Sequence, residues 1–261
     1  MTTLVILHRA SLGELPYGQW LGDTGHRIVR IGDTELPGFA DTAAAELAVL
    51  RTAARTPVAG VIALHPDDQI RAGSLRDHLC LPGQTRDQAL AGADLILAGE
   101  LLAAAGVPTL PRAAAGRIPD LYRAAHAWGY PLAVRRRRGA ERGVVAELTD
   151  EAALRAFARG GLTEGERSTA ALVVEPMTLG ERHRGPGLPV TDAALTALAP
   201  SAGHPLEVDA VRDAHGAWVV DRVRYTGHTA PTRALVRAQA GVEGPSPMAR
   251  RSTNELLETV R

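Results

Sequence analysis

Apolar and polar positions change their period several times along the chain, and each change predicts an element. Residues 4–7 and 58–64 are continuous apolar runs, as in strands buried on both faces. A third run, 28–31, fits another strand, and a short helix is expected around 17–21. From 42 to 55 apolar side chains recur at helical spacing behind Asp41, which predicts a capped helix. Strands alternating with helices argue an open, mostly parallel sheet, with ligands beyond the carboxyl ends of its strands. His8, Arg9 and His65 stand at such ends, although ordinary loop polarity explains them equally well.

Further along, 68–80 reads as a helix with Ile70, Leu75 and Leu79 inward, broken by Leu81-Pro82-Gly83. His78 and Cys80 are expected to lie buried under it, because two ligands without a partner cluster make no metal site. Thr85 and Asp87 open a helical stretch that ends at Gly106, followed by an extended connector and a helix over 119–128. The period then becomes two: Leu132 and Val134 alternate with Ala133 and Arg135 in a strand over 131–137, and a second strand follows at 144–148. The turn between them carries Arg138, Gly139, Arg142 and Gly143. Its glycines let the backbone approach an anion, and guanidiniums and amides supply donors, so the hairpin can close over a polyphosphate. Taken alone, the stretch also fits a solvated basic hairpin. Downstream come a helix at 191–198 and a strand hairpin over 209–223 turning at 213–216. A helix to about 239, a Gly/Pro/Ser linker at 241–247 and an amphipathic end at 252–260 complete the chain.

Composition narrows the function classes. With 261 residues, 45% of them hydrophobic, the chain can bury a core in one large or two modest domains. Its 29 basic and 29 acidic residues balance, so no global field recruits nucleic acid or a membrane. Aromatic stacking partners make up only 3%, and Arg135 to Arg138 alternate between strand faces, which argues further against nucleic acid. A single cysteine excludes an intramolecular disulfide framework. With no signal core or membrane-length apolar run in sight, a cytoplasmic location is expected. The chain contains no lysine, so every basic task falls to a planar guanidinium.

Several pieces in order resemble the ATP-grasp superfamily. They are Asp68-x-x-Arg71, Leu75-Arg76, Leu81-Pro82-Gly83, Asp94, then Gly106-Val107-Pro108-Thr109, then Gly129-Tyr130-Pro131 with Val134. Order and spacing are similar to those of the carboxylate–amine ligases, amino-acid ligases included. The resemblance implies an α/β (α+β) protein with the ATP-grasp fold. A Rossmann-like pre-ATP-grasp domain would span 1–92 and an ATP-grasp domain 93–240, its lid hairpin at about 110–170. The C-terminal lobe is reduced between 180 and 209. The terminal linker and helix at 241–261 would dock on the core or on a second subunit, as in a homodimer.

By the same resemblance, Arg135 stands where the family has a phosphate-binding lysine, and with Arg138 it is the catalytic candidate. Arg142 would assist at the phosphates, while Gly139 and Gly143 shape the lid. The stretch from Leu172 to Glu181 matches the family's hinge strand: the Pro176 carbonyl and Thr178 N–H face adenine, with Glu175 beside them. Glu181 falls one place before the family's ribose-binding Glu, a position held here by Arg182. Asp209 and Asp221 would hold a Mg2+ that bridges the phosphates. Leucine at 95 and valine at 223 replace a family lysine and asparagine. The implied activity is ATP-dependent joining of a carboxylate to an amine through an acyl-phosphate, in small-molecule or peptide biosynthesis, with ATP and Mg2+ as cofactors. Strand-end loops, with His8, Arg9 and Tyr17, would select the substrates. The departures at Leu95, Arg182 and Val223 imply an alternative, a protein that keeps the fold but serves as a binding or partner-scaffold protein without ligation.

Overall fold

The computed structural model describes residues 1–139, 142–160, 171–178, 180–213 and 215–242. They form two compact units. The first comprises Met1–Asp87, Pro200–Pro205 and the described part of Thr226–Arg261; the second comprises Gln88–Ala199 and Leu206–Tyr225. The expected C-terminal helix at 252–260, and its docking on a second subunit, lie outside the described residues.

In the first unit, β1 (Thr3–His8), β2 (Arg27–Gly32) and β3 (Val58–Ala63) form a parallel sheet in the order β2-β1-β3. Every residue of β1 is buried, as its unbroken apolar run requires. One face packs against α2 (Ala44–Ala53) and α3 (Gln69–His78) through Val5, Leu7, Val49 and Leu75. The other face carries Leu4, Ile6 and Ile62, and is covered by α1 (Tyr17–Leu21) together with Val236 and Ala240 from the far end of the chain. Each such aliphatic side chain contributes about 1.5–3 kcal/mol on burial. That second apolar face needs a cover, which is why the helix Arg233–Gln239 belongs here and not to the 93–240 domain implied by the resemblance. Gln239 seals the join: its Oε1 accepts from the Ala63 N–H at 3.0 Å and its Nε2 donates to the Gly203 carbonyl at 2.8 Å.

Two local expectations change. Asp41 is exposed and caps nothing; α2 starts at Ala44, behind a turn closed by Thr42, whose hydroxyl donates to the Gly38 carbonyl and accepts from the Ala44 N–H. His78 and Cys80 are exposed, because the phase of α3 turns Ala72, Leu75 and Arg76 inward instead. The buried Arg76 guanidinium donates to the carbonyls of Val61 and Gln84.

His204 is buried near that guanidinium. Burial, then the charge of Arg76, pushes its imidazole down to about 3 from an ordinary 6.5. The folded ring stays neutral while the unfolded one protonates, so stability is complete above 6.5 and is lost as pH falls from there toward 3. Burial also lowers His8 and His65, which act in the same direction. Urea midpoints measured between about pH 7 and pH 4 are expected to fall steeply, by up to ~1.4 kcal/mol per pH unit from His204 alone. His204→Asn should flatten the slope; an unchanged slope would contradict the assignment.

In the second unit, β4 (Ala113–Ala114), β5 (Leu132–Arg136), β6 (Val144–Leu148) and β7 (Leu172–Pro176) form an antiparallel sheet in the order β4-β7-β5-β6. The expected helix across 85–106 is two: α4 (Arg86–Ala93) ends before Asp94, whose side chain caps α5 (Leu95–Ala104) by accepting the N–H groups of Ile96 and Leu97. Leu132, Val134, Leu172 and Val174 turn one face of the sheet onto Leu121 of α6 (Ile118–Trp128) and Leu154 of α7 (Glu151–Gly160). A second antiparallel sheet holds β8 (Arg182–Arg184), β9 (Leu206–Arg212) and β10 (Trp218–Tyr225), in the order β10-β9-β8. Val208, Ala210, Val220 and Val223 make its apolar face, packed on Leu102 of α5 and Ala194 of the helix Pro189–Leu198. Among the described residues no helix is long and apolar enough to cross a membrane.

Candidate functional site

Strand alternation leaves Arg135 and Glu175 on the face of the larger sheet that points away from its core, and Asp209 likewise on the smaller sheet. In β10 the register shifts between Val220 and Arg222, so Asp221 is an extra residue beside the Asp209↔Arg222 pair. The polar faces are stitched together by charge. Arg135 Nε donates to Glu175 Oε1, and Arg112 Nε donates to Glu175 Oε2 at 2.7 Å. Arg112 also donates to the Asp221 carbonyl and lies 3.5 Å from Asp221 Oδ1. Asp221 Oδ2 receives Arg182 Nη1 at 2.7 Å and Arg222 Nε at 3.4 Å. Asp209 Oδ1 receives Arg224 Nη2 at 3.0 Å, with Arg184 Nε 3.6 Å away. The Glu175 and Asp221 side chains are each 2% exposed, and carboxylates so buried need partners of this kind. Burial of Asp209 holds its carboxyl above the usual range in spite of Arg224 and Arg184.

Beside this seam the turn between β5 and β6 brings in Arg142, which is buried. Its Nη2 donates to the Gly92 carbonyl at 3.0 Å and its Nε to that of Gly139 at 3.2 Å, but Nη1 makes no hydrogen bond among the described residues. Burial, then the charges of Arg222, Arg112 and Arg224, pushes the guanidinium down to about 10, still charged at neutral pH. Asp94 relieves it only partly, because that carboxylate is held by Arg137 at 2.9 Å and Arg138 at 2.7 Å. Burial works to raise the Asp94 carboxyl, yet those two hydrogen bonds and the Leu97 N–H outweigh it and keep it low. Arg138 is therefore tied to the start of α5 with half its side chain in solvent. Gly139 sits at φ +104°, where a side chain would be strained; a Cβ on Gly143 would meet nothing, so no steric demand explains that glycine.

Pro176, Met177, Thr178 and Gly180, in the stretch expected at the adenine, border a cavity of about 600 Å3 whose other walls include Leu110, Pro111, Trp128 and His215. The Met177 N–H donates to the Pro131 carbonyl, and the Thr178 carbonyl accepts from Arg182. Gly180 lies so close to the Arg212 carbonyl that no Cβ fits between them. Glu181 is exposed and pairs with Arg212 at 3.0 Å. Leu95 is buried and donates its N–H to the Arg137 carbonyl. In the first unit, Arg9 is held by both oxygens of Asp68 and His8 by the Tyr17 hydroxyl.

No protein-family model matches the sequence, and no curated protein does. Solved structures do match. An L-amino acid ligase from Bacillus licheniformis superposes with a TM-score of 0.68 over 97% of this chain and 77% of its own, at 16% identity. The RimK domain protein ATP-grasp from Sphaerobacter thermophilus does so with a TM-score of 0.58 over 92% and 99%, at 13% identity. An N5-carboxyaminoimidazole synthetase from Staphylococcus aureus, complexed with ADP, gives 0.65 over 94% and 79%, at 14% identity. The chain has the ATP-grasp fold.

Within this ATP-grasp fold the residues expected to hold Mg2+ do not fit it. The ion wants oxygen ligands at short range in a near-octahedral set. Both Asp221 oxygens face guanidiniums, as does Asp209 Oδ1, and Val223 offers no donor. Among the described residues no group of three His, Cys, Asp or Glu could hold a metal. Glu175, expected beside adenine, has both oxygens engaged by Arg135 and Arg112. Sequence reasoning missed Arg112, Arg222 and Arg224. Arg112 had a signal, its place at the end of the extended connector after Pro111, where the chain crosses from one sheet to the other.

Proposed function

We propose that the second unit binds ATP and that the chain uses it to join a carboxylate to an amine. The observation that carries this is Arg142: a buried guanidinium whose Nη1 makes no hydrogen bond among the described residues, and which feels the charges of three further arginines, calls for a polyanion. Arg135 supports the same reading, since its Nε is committed to Glu175 while its terminal amino groups make no hydrogen bond among the described residues. The hinge cavity beside Pro176 and Thr178 is of a size to take a base. Similarity to an L-amino acid ligase and to a synthetase complexed with ADP points the same way.

A carboxylate resists attack because its oxygens share a full negative charge. Transfer of the γ-phosphoryl group breaks the bond to ADP and forms an acyl-phosphate. The amine nitrogen then attacks the acyl carbon, phosphate leaves with its oxygen, and the nitrogen loses a proton. Here Arg142 and Arg135 would neutralise and orient the phosphates, and the lid would exclude water. The buried Asp221–arginine contacts and the apolar Leu95 favour a second reading, a nucleotide-binding protein without ligation.

The full chain incubated with ATP should release phosphate when a mixture of amino acids is added, and not when it is left out. Mass spectrometry should find a product equal to the sum of two of them less water. Binding of ATP without such turnover would overturn the ligase in favour of the second reading.

A further inference from the structure

We infer that the polyphosphate in this cleft is bound without a divalent cation, its charge met by guanidiniums alone. The inference rests on the nucleotide-binding reading above. Two carboxylates facing a polyphosphate ordinarily suggest a bridging ion, but here each is already engaged by arginines. A cation settling on Asp221 Oδ2 would have to displace Arg182 from 2.7 Å and remain beside Arg222, at 3.4 Å from the same oxygen. On the other oxygen it would meet Arg112, which also donates to the Asp221 carbonyl and to Glu175 and so cannot withdraw without breaking both. Guanidiniums keep their charge at any working pH, so these neighbours repel a cation permanently. Asp209 is likewise engaged by Arg224.

Independent of the carboxylates is the Nη1 of Arg142. It is a buried donor with no acceptor among the described residues, in a neighbourhood of like charge. A dication placed there would add to the repulsion, whereas phosphate oxygens remove it. The chain has no lysine, so these planar donors, rather than an ammonium and a metal ion, present the complement to the phosphates.

Calorimetric titration of the full chain with ATP, once in EDTA and once in millimolar Mg2+, tests this. The expected result is an affinity in EDTA equal to that in Mg2+ within about threefold, or tighter. An affinity more than about threefold tighter in Mg2+ would overturn the inference while leaving nucleotide binding intact. No heat in either buffer would overturn the nucleotide reading itself. Asp221→Asn gives a second arm: with the carboxylate charge gone, its arginines turn to the ligand, and affinity in EDTA should rise by about three- to tenfold. A metal ligand would behave oppositely, losing affinity in Mg2+ only.

Discussion

Glu175→Ala is expected to destabilise the second unit by about 3–5 kcal/mol, the cost of breaking a buried ion pair from one side. Its carboxylate is shared by Arg135 from β5 and Arg112 from the connector, whose side chains are 10% and 6% exposed. Removing it strands two buried guanidiniums on the wall between the sheets. For a chain of this size the loss corresponds to a fall in melting temperature of roughly 6–20 °C. Glu175→Gln, with one acceptor oxygen, should cost less. Adding Arg112→Ala to Glu175→Ala should cost much less than the sum of the two changes, because the second removes a charge the first has orphaned. Thermal melts of the four proteins decide it. Single losses below about 1 kcal/mol, or simple additivity, would show that the seam is not a coupled network.

Arg142→Met should do the reverse, weakening ATP binding about 10- to 100-fold while leaving the ligand-free protein as stable as before, or more so. Holding this guanidinium charged costs the fold on the order of 3 kcal/mol, since burial and three neighbouring arginines push it from 12.5 to about 10. Methionine removes that cost and keeps most of the volume. It forfeits the hydrogen bonds to the Gly92 and Gly139 carbonyls, at about 1 kcal/mol each, which offsets part of the gain. With ligand present the balance inverts, because a charge-assisted bond to phosphate contributes about 1.5–3 kcal/mol. Titration and chemical unfolding of the same variant separate these effects. A variant that loses stability but keeps its affinity would make Arg142 a structural strut.

The hairpin of β5 and β6 shows how much of the site could be read in advance. Its two strands and the place of Arg135 follow from period-2 alternation and appear in β5 and β6, while residues 140 and 141 of the basic turn lie outside the described residues. The division of labour among its arginines does not follow from that alternation. Arg138, expected at the phosphates, is tied to Asp94, whereas Arg142, cast as a helper, keeps a buried Nη1 with no partner among the described residues. Four consecutive arginines look alike in one dimension; which meets a carboxylate depends on a helix start that lies far back in the chain. Asp209 and Asp221 make the same point. Their spacing across a hairpin was legible and matches a metal-binding pattern, but the bulge at Asp221 and the arginines around it were not.

The sequence by itself determined the order and type of most elements, the buried parallel strands of the first unit, the two hairpins and the ATP-grasp resemblance. These rest on local signals: apolar period, glycine and proline punctuation, and spacing within a hairpin. Only the tertiary structure decided the partners. It returned the helix Arg233–Gln239 to cover β1 and β3, joined Arg112 to Glu175 and Asp221, and left Arg142 Nη1 without an acceptor among the described residues. Ion pairs have no period. A buried charge takes whichever opposite charge the packed sheets bring within reach, and that choice exists only once the strands are in register.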